Sequence, residues 1–172
     1  MDTTWEDLSA RLTPFIVEAL PGSYLILSDI ERPDVYVQMA FEAEKVIVEA
    51  VSDQFLDVSR QITEDQRIQL AELGWTPPEA AQGINWESPI AAPVSAQDAR
   101  ATAQRLVRTL RDVHAVPNPG RLIQRAWREW TPEAARMDPL PVDLGLAVAG
   151  QFSAPPTPVK VPWYKRLFGA GS

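Results

Sequence analysis

Three apolar segments with very short connections constrain the fold of this 172-residue chain more than any other feature. They read YLILSDI, VYVQMAFE and VIVEAVS, and only ERPD and AEK separate them. Parallel strands need long crossover connections, whereas antiparallel strands can be joined by a short turn. The spacing therefore predicts an antiparallel meander over residues 24–52, and it argues against a doubly wound nucleotide-binding sheet.

Side chains of two kinds alternate along the middle segment, which is typical of a strand with one face covered by other elements. The face predicted to be buried beneath helices holds Val35, Val37, Met39 and Phe41. The opposite face holds Tyr36, Gln38, Ala40 and Glu42. On this face, Tyr36 and Gln38 are predicted to contact a partner protein or a second copy of the chain.

Helical periodicity occurs on both sides of the meander. The first helix is predicted to begin with a capping box between Thr3 and Glu6, and Pro14 should kink or split it. A second helix is expected to begin at Thr63, and a third, with the clearest apolar stripe, at Ser95. The pattern as a whole predicts an α+β fold, a two-layer sandwich of an antiparallel meander with helices packed on it.

The remaining segments have weaker patterns. INWESPI is predicted as a short strand at an edge, because Pro89 cannot donate a ladder hydrogen bond. RLIQRAWREW is predicted as a further short helix, and another short helix is expected near residues 132–136, followed by irregular chain. The helix RLIQRAWREW would place three arginines on one side, namely Arg121, Arg125 and Arg128.

The residue types that support catalysis or metal binding are scarce. There is no cysteine, and the single histidine, His114, lies late in a helical pattern where a cation would interact favourably with the helix dipole. Asp29, Glu31 and Asp34 share a turn and could hold a cation only weakly, because they lack the spacing of a calcium loop. Phosphate loops and nucleophile motifs are also absent. The sequence predicts a protein without enzymatic activity, cofactor or metal.

Charge is unevenly distributed along the chain. Residues 1–90 carry 17 acidic and 5 basic side chains, whereas residues 151–172 carry 3 basic side chains and no acid. The acidic first half argues against nucleic acid as a partner. The apolar runs are shorter than the roughly 20 residues of a membrane span, and the acidic N-terminus does not resemble a secretory signal. A cytoplasmic location is expected.

Six tryptophans are candidates for core or interface positions. Trp5, Trp75 and Trp127 lie at helix ends or on apolar faces, so the core is the favoured position for them. Trp86 and Trp130 stand among polar residues, where a core position and an interface position are equally compatible with the sequence. Trp86 is retained as a candidate partner-binding residue.

The C-terminal region differs in composition from the rest of the chain. Residues 1–150 are expected to form one domain, residues 151–162 a proline-rich extended linker, and residues 163–172 a short basic and aromatic motif. This motif is predicted to fold on a surface, which is either a groove on a partner protein, the chain's own acidic body or, more weakly, an anionic membrane. Its predicted contact residues are Trp163, Tyr164, Lys165, Arg166, Leu167 and Phe168.

The stretch LAELGWTPPEAAQGINW resembles the LGW, proline and NW pattern of actinobacterial YbjN-like proteins, also called TY-Chap domains. The later stretch TLRDVHAVPNPGRL is similar to the helix and exit that follow in that family. The resemblance covers about residues 4–130. Its order of elements, a helix, a three-stranded meander and further helices, agrees with the order predicted above.

The resemblance implies a fold like that of type III secretion chaperones, which are typically homodimers without enzymatic activity. It implies a protein-binding module, a chaperone-like adaptor that holds an extended segment of another protein. The alternative is an immunity protein that neutralises a secreted toxin, because some relatives are thought to act in that way. For the adaptor, the unpaired edge of a meander is an expected docking position.

Overall fold

A computed structural model of the chain describes residues 3–81, 83–129 and 137–149. The helices are α1 (Trp5–Glu18), α2 (Glu64–Glu72), α3 (Pro78–Ala81) and α4 (Ala96–Arg108). A π-helical turn, Thr109–Val113, extends α4, and single 3-10 turns occupy Val58–Arg60 and Pro119–Arg121. The strands are β1 (Ser23–Asp29), β2 (Tyr36–Phe41), β3 (Lys45–Ala50), β4 (Trp86–Glu87), β5 (Ile90–Ala91), β6 (Leu122–Glu129), β7 (Met137–Pro139) and β8 (Ala147–Val148).

Capping side chains set the beginnings of the three longer helices. Thr63 and Gln66 form the reciprocal capping box of α2, and Ser95 accepts a hydrogen bond from the backbone of Asp98 at the start of α4, so both helices begin at the predicted residues. The box of α1 lies one residue later than predicted, between Thr4 and Asp7. Pro14 does not split α1, which runs from Trp5 to Glu18 as one helix.

The strands form one sheet in the order β4-β3-β2-β1-β6-β7. The predicted meander β1–β3 is confirmed, with Leu25 opposite Met39 and Met39 opposite Val48. Two further short strands complete the sheet, β5 against β3 and β8 against β6. The architecture is therefore the predicted α+β fold, although the sheet extends beyond the three consecutive strands.

One face of the sheet, here called the inner face, carries the main core. It packs against α1, α2 and α4, and the predicted inward residues Val35, Val37, Met39 and Phe41 are each at most 4% exposed. Phe41 meets Phe15 of α1 edge to face, with 5.6 Å between ring centroids. Apolar burial on this scale is the main source of a domain's stability.

The segment RLIQRAWREW is a strand, so the prediction of a helix there was wrong. Its residues 122–129 form β6, which pairs with β1 over seven residues. Leu122 and Ala126 face the core, while Arg125 faces the other side. Arg125 and Arg128 therefore lie on opposite faces of the sheet, because strand side chains alternate.

The C-terminal part of the described chain adds two short strands, β7 and β8, beside β6. The chain after residue 136 is thus more regular than the sequence predicted. The helix expected near residues 132–136, the linker 151–162 and the motif 163–172 lie outside the described residues. None of the helices in the described ranges is both long and apolar enough to cross a membrane.

Candidate functional site

The face of the sheet that points away from the helices, here called the outer face, carries an apolar row across four strands. Ladder pairing places Trp127 beside Tyr24, Tyr24 beside Ala40, and Ala40 beside Ile47. Neighbouring strands lie about 4.8 Å apart, so the row extends over roughly 14 Å. It forms a second apolar cluster, separate from the main core.

Two aromatic rings dominate this row. Tyr24 and Trp127 stack with 5.1 Å between centroids and 17° between ring planes. The Tyr24 hydroxyl lies 3.3 Å from a carboxylate oxygen of Glu129. Burial, with the nearby carboxylate of Glu129, raises the pKa of Tyr24 above its ordinary value, so the phenol stays protonated and donates this hydrogen bond.

A second, more polar row lies beside the apolar row. Its members in strand order are Arg125, Ile26, Gln38, Glu49 and Glu87. The side-chain amide of Gln38 donates a hydrogen bond to Glu49 at 2.5 Å. Gln38 and Glu49 are only 3% and 4% exposed. The expectation that the meander has a single covered face was therefore wrong.

Tyr36 begins a third row on the outer face, opposite Ser28 of β1. Its hydroxyl lies 3.4 Å from the side-chain nitrogen of Asn85, which donates to it. Burial raises the pKa of Tyr36 to about 12, against the opposing effect of the Asn85 hydrogen bond. The structure thus places the predicted residues Tyr36 and Gln38 together on one face.

The segment LGW…NW, singled out in the sequence, organises the edge of the sheet beside β3. Gly74 ends α2 with a φ of +89°, a conformation that side chains with a Cβ rarely adopt. The indole nitrogen of Trp75 donates to the Thr109 hydroxyl at 2.8 Å. The Asn85 side chain accepts a hydrogen bond from the backbone of Ser52. These contacts give Gly74, Trp75 and Asn85 a structural function.

Arg105 of α4 completes the same edge. Its guanidinium donates to the Leu73 carbonyl and to the Ser88 hydroxyl, each at 2.7 Å. It also lies over the Trp75 ring, 6.0 Å from the ring centroid. Arg105 therefore joins the end of α2, the turn after β4 and helix α4, and sequence reasoning had not singled it out.

Trp86 is only 3% exposed and belongs to the main core, where it pairs with Ala50 of β3. Trp75 is also in that core, and Trp5 packs against it. The structure thus separates Trp86 from Tyr36 and Gln38, because it projects to the inner face. The six predicted contact residues of the C-terminal motif, Trp163 to Phe168, lie outside the described residues, as does Trp130.

Short strands cover both long edges of the meander's sheet. β4 and β5 pair with opposite ends of β3, and Ser88 donates to the Val48 carbonyl between them. β7 and β8 do the same for β6, with Leu140 donating to the Ala126 carbonyl. The expected docking edge is therefore occupied, and the outer face is the larger candidate surface.

The acidic turn after β1 binds arginines. Asp29 is fully buried and accepts hydrogen bonds from Arg32 at 2.6 Å and Arg121 at 2.8 Å. Burial of the carboxyl opposes ionisation, but these bonds outweigh it and lower the pKa of Asp29 below its ordinary value. In the described ranges, no group of acidic and histidine side chains is arranged to hold a metal ion.

His114 does not act as the cation predicted for the end of α4. The residue is 7% exposed, and its Nε2 atom has no hydrogen-bond partner among the described residues. Burial, together with the charge of Arg32, lowers the pKa of His114 to about 4. The imidazole is therefore neutral at pH 7.

A second surface feature is a groove of about 560 Å³ between α1 and α4. Arg100, Arg108 and Arg111 line it together with Trp5. Both Arg108 and Arg111 form ion pairs with Asp112, at 3.6 Å and 2.6 Å. The side chains of Arg108 and Arg111 are 59% and 38% exposed, so these ion pairs lie at the surface.

Comparison with known proteins adds a family to this geometry. Residues 1–128 match the family model TY-Chap3, described as "T3SS (YopN, CesT) and YbjN peptide-binding chaperone 3". No curated protein and no solved structure matches the chain. The family match spans well over half of the sequence and confirms the resemblance of the LGW…NW segment. The chain therefore belongs to the TY-Chap3 family of peptide-binding chaperones.

Proposed function

We propose that the protein is a chaperone-like adaptor that binds an extended segment of a partner protein across the outer face of its sheet. The observation that carries the proposal is the row Trp127, Tyr24, Ala40 and Ile47, a second apolar cluster on the face of the sheet away from the helices, in which Tyr24, Ala40 and Trp127 are at most 5% exposed. Large aromatic residues of this kind anchor protein interfaces. The family's peptide-binding character supports the same reading.

The polar row provides direction and selectivity to this surface. Arg125 lies at one end, whereas Glu49 and Glu87 lie at the other, three or more strands away. A bound segment with apolar side chains over the first row would align its charges along the second. Such charge complementarity contributes specificity more than affinity.

The test uses a peptide display library panned against the full chain, with dissociation constants of selected peptides measured by calorimetry. Ile26 is half-buried at the centre of the outer face, and Ile26→Asp should weaken selected peptides at least tenfold. The matched control is Val58→Asp in an 84% exposed turn, which should leave binding unchanged.

Folding of both variants is checked by circular dichroism. Peptide binding by folded Ile26→Asp at full strength would contradict the proposal, and so would a library that yields no binder.

The alternative function is an immunity protein that blocks a toxin. The observation in its favour is the net charge of −12 over residues 1–90, since an acidic surface associates rapidly with a cationic enzyme cleft. Affinity capture with the purified full chain distinguishes the two functions. Recovery of a single secreted enzyme, inhibited on binding, would support immunity, whereas short extended segments from several proteins would support the adaptor.

A further inference from the structure

The outer face is more covered than an antiparallel sheet face that is open to water. Side chains on an open face are solvated, yet Gln38 and Glu49 expose only 3% and 4% of their surface. The apolar cluster on this face contains strand residues alone, as far as the described residues extend. An occupant of the face would therefore come from the remainder of the chain or from another molecule.

The last residues of the chain have the chemistry that suits this face. VPWYKRLF combines aromatic and aliphatic side chains with Lys165 and Arg166, and residues 151–172 contain no acid. In a helical turn, Trp163 and Leu167 share one side, Tyr164 and Arg166 border that side, and Lys165 projects away from it. The outer face offers the apolar row to the side of Trp163 and Leu167, and the carboxylates of Glu49 and Glu87 to Arg166.

We propose that residues 159–172 of the same chain occupy the outer face when no partner is bound, and serve as its resident ligand. This inference rests on the proposed function, because it takes the outer face to be the peptide-binding surface. Trp163 and Leu167 cover the apolar row around Tyr24. Arg166 neutralises the acidic end of the polar row, where a buried carboxylate is stabilised by a neighbouring cation.

The connection is long enough for this arrangement. Ala149 donates a backbone hydrogen bond to the Gln124 carbonyl, so the described chain ends beside β6. A proline-rich segment extends about 3.1 Å per residue, which gives residues 150–162 a reach of roughly 40 Å. The distance from β6 to β3 is three strand spacings, or roughly 14 Å.

The tether makes the chain's own C-terminus a competitor of any partner segment. A short flexible tether holds a segment at an effective concentration on the order of millimolar. A partner segment then has to compete with the chain's own C-terminus, and only segments that bind the same surface more tightly are retained. The partner class that fits is an extended or short helical peptide with paired aromatic residues and one or two basic residues.

Because the chain lacks cysteine, introduced pairs report proximity without ambiguity. One full-length variant combines Ala170→Cys with Lys45→Cys, which is exposed on the outer face at the start of β3. The control combines Ala170→Cys with Ala101→Cys, exposed on α4. Both are treated with a short bismaleimide, and intrachain products are identified by peptide mass.

The outer-face pair should cross-link within one chain at least tenfold faster than the helix-face pair. Adding Trp163→Ser and Leu167→Ser should remove that difference. Equal rates in the two pairs, or products of twice the chain mass only, would overturn the proposal.

A second measurement separates this inference from the proposed function. A synthetic, labelled peptide of residues 159–172 is titrated by fluorescence polarisation into the wild-type chain and into the Trp163→Ser/Leu167→Ser variant. The peptide should bind the variant at least tenfold more tightly, because the variant's own C-terminus competes less. Equal affinity for both proteins would overturn the inference.

The library peptides are measured on the same two proteins. If they bind both equally, the resident-ligand inference fails while peptide binding stands. If the cross-links form but no library peptide binds, peptide binding fails while the intrachain contact stands.

Discussion

The two faces of one sheet have different compositions and different neighbours. On β2, Val37, Met39 and Phe41 project to the inner face, where three helices cover them. Gln38 and Ala40, from the same strand, project to the outer face among strand residues. The inner face has the apolar packing of a core, whereas the outer face combines aromatic, amide and charged groups.

The difference shows that burial alone does not identify a core. Gln38 is as buried as Phe41, yet its amide is used in a hydrogen bond with Glu49 rather than in apolar packing. Stability should therefore depend on the inner face, and partner recognition on the outer face. Four measurements, in order of decreasing effect, test this division.

The largest effect is expected from Phe41→Ala on the inner face. The ring is 4% exposed and packs against Phe15, so its removal leaves a cavity that should cost about 3–5 kcal/mol of unfolding free energy. Urea unfolding followed by circular dichroism measures the change, with Val58→Ala as an exposed control. A loss below about 1 kcal/mol would mean that the inner face does not carry the core.

His114 should make the free energy of unfolding depend on pH at values above those at which most carboxyl groups titrate. Its pKa is about 4 in the folded protein and about 6.5 in the unfolded chain, so the unfolded state binds more protons between these values. Lowering the pH from 7 to 4 should therefore remove up to about 3 kcal/mol. The charge of Arg32 also lowers the pKa of His114, whereas the charge of Asp34 raises it.

The comparison for His114 is the variant His114→Gln, unfolded in urea at several pH values. The variant should lose less stability than the wild type between pH 6.5 and 4, and its peptide binding at pH 7 should stay within a few-fold. Identical pH profiles would mean that His114 is not buried as described. Loss of a measured turnover in the variant would contradict the expectation that the protein is not an enzyme.

Asp29 tests the polar end of the inner face. Asp29→Asn removes a buried carboxylate that Arg32 and Arg121 share, and hydrogen bonds to charged groups of this kind contribute about 1.5–3 kcal/mol. Because the pKa of Asp29 is lowered in the folded state, this contribution is present above about pH 3.9 and is lost as the pH falls further. Thermal melts at pH 7 and pH 3 should show a smaller difference between variant and wild type at pH 3.

The smallest effect on stability is expected from Gln38→Met on the outer face. The substitution removes the donor to Glu49 and should cost about 1 kcal/mol, since the amide is buried. When both variants are folded, Gln38→Met should weaken peptide binding more than Phe41→Ala does. A greater loss of stability than Phe41→Ala would reverse the division between the two faces.

The meander could be predicted from the sequence because the features that specify it lie within one short stretch of the chain. Alternation in residues 35–41 and the short connections fix both the pairing and the inward face. The failure at β6 has a different cause. Its arginines recur at spacings that a helix also satisfies, and the pairing with β1 joins residues about 100 positions apart. The signal that was missed is the alternation of Leu122 and Ala126 with Arg125 and Trp127.

The candidate site was predicted only in part for the same reason. The sequence placed Tyr36 and Gln38 on the outer face because they lie on β2, whose two faces its alternation defines. Tyr24 and Trp127 come together only through the pairing of β1 with β6, which the sequence did not reveal. Trp86 was misleading because its neighbours in the sequence are polar, although its own side chain faces the core.

The short strands beside β3 and β6 have a consequence for the protein at high concentration. A long, flat sheet edge is a template for polymerisation, and natural proteins often protect such edges with short or proline-containing segments. Here β4 and β5, interrupted by Pro89, end the sheet on one side. Short strands at these positions leave little free edge for a second copy of the chain to extend the sheet at high concentration.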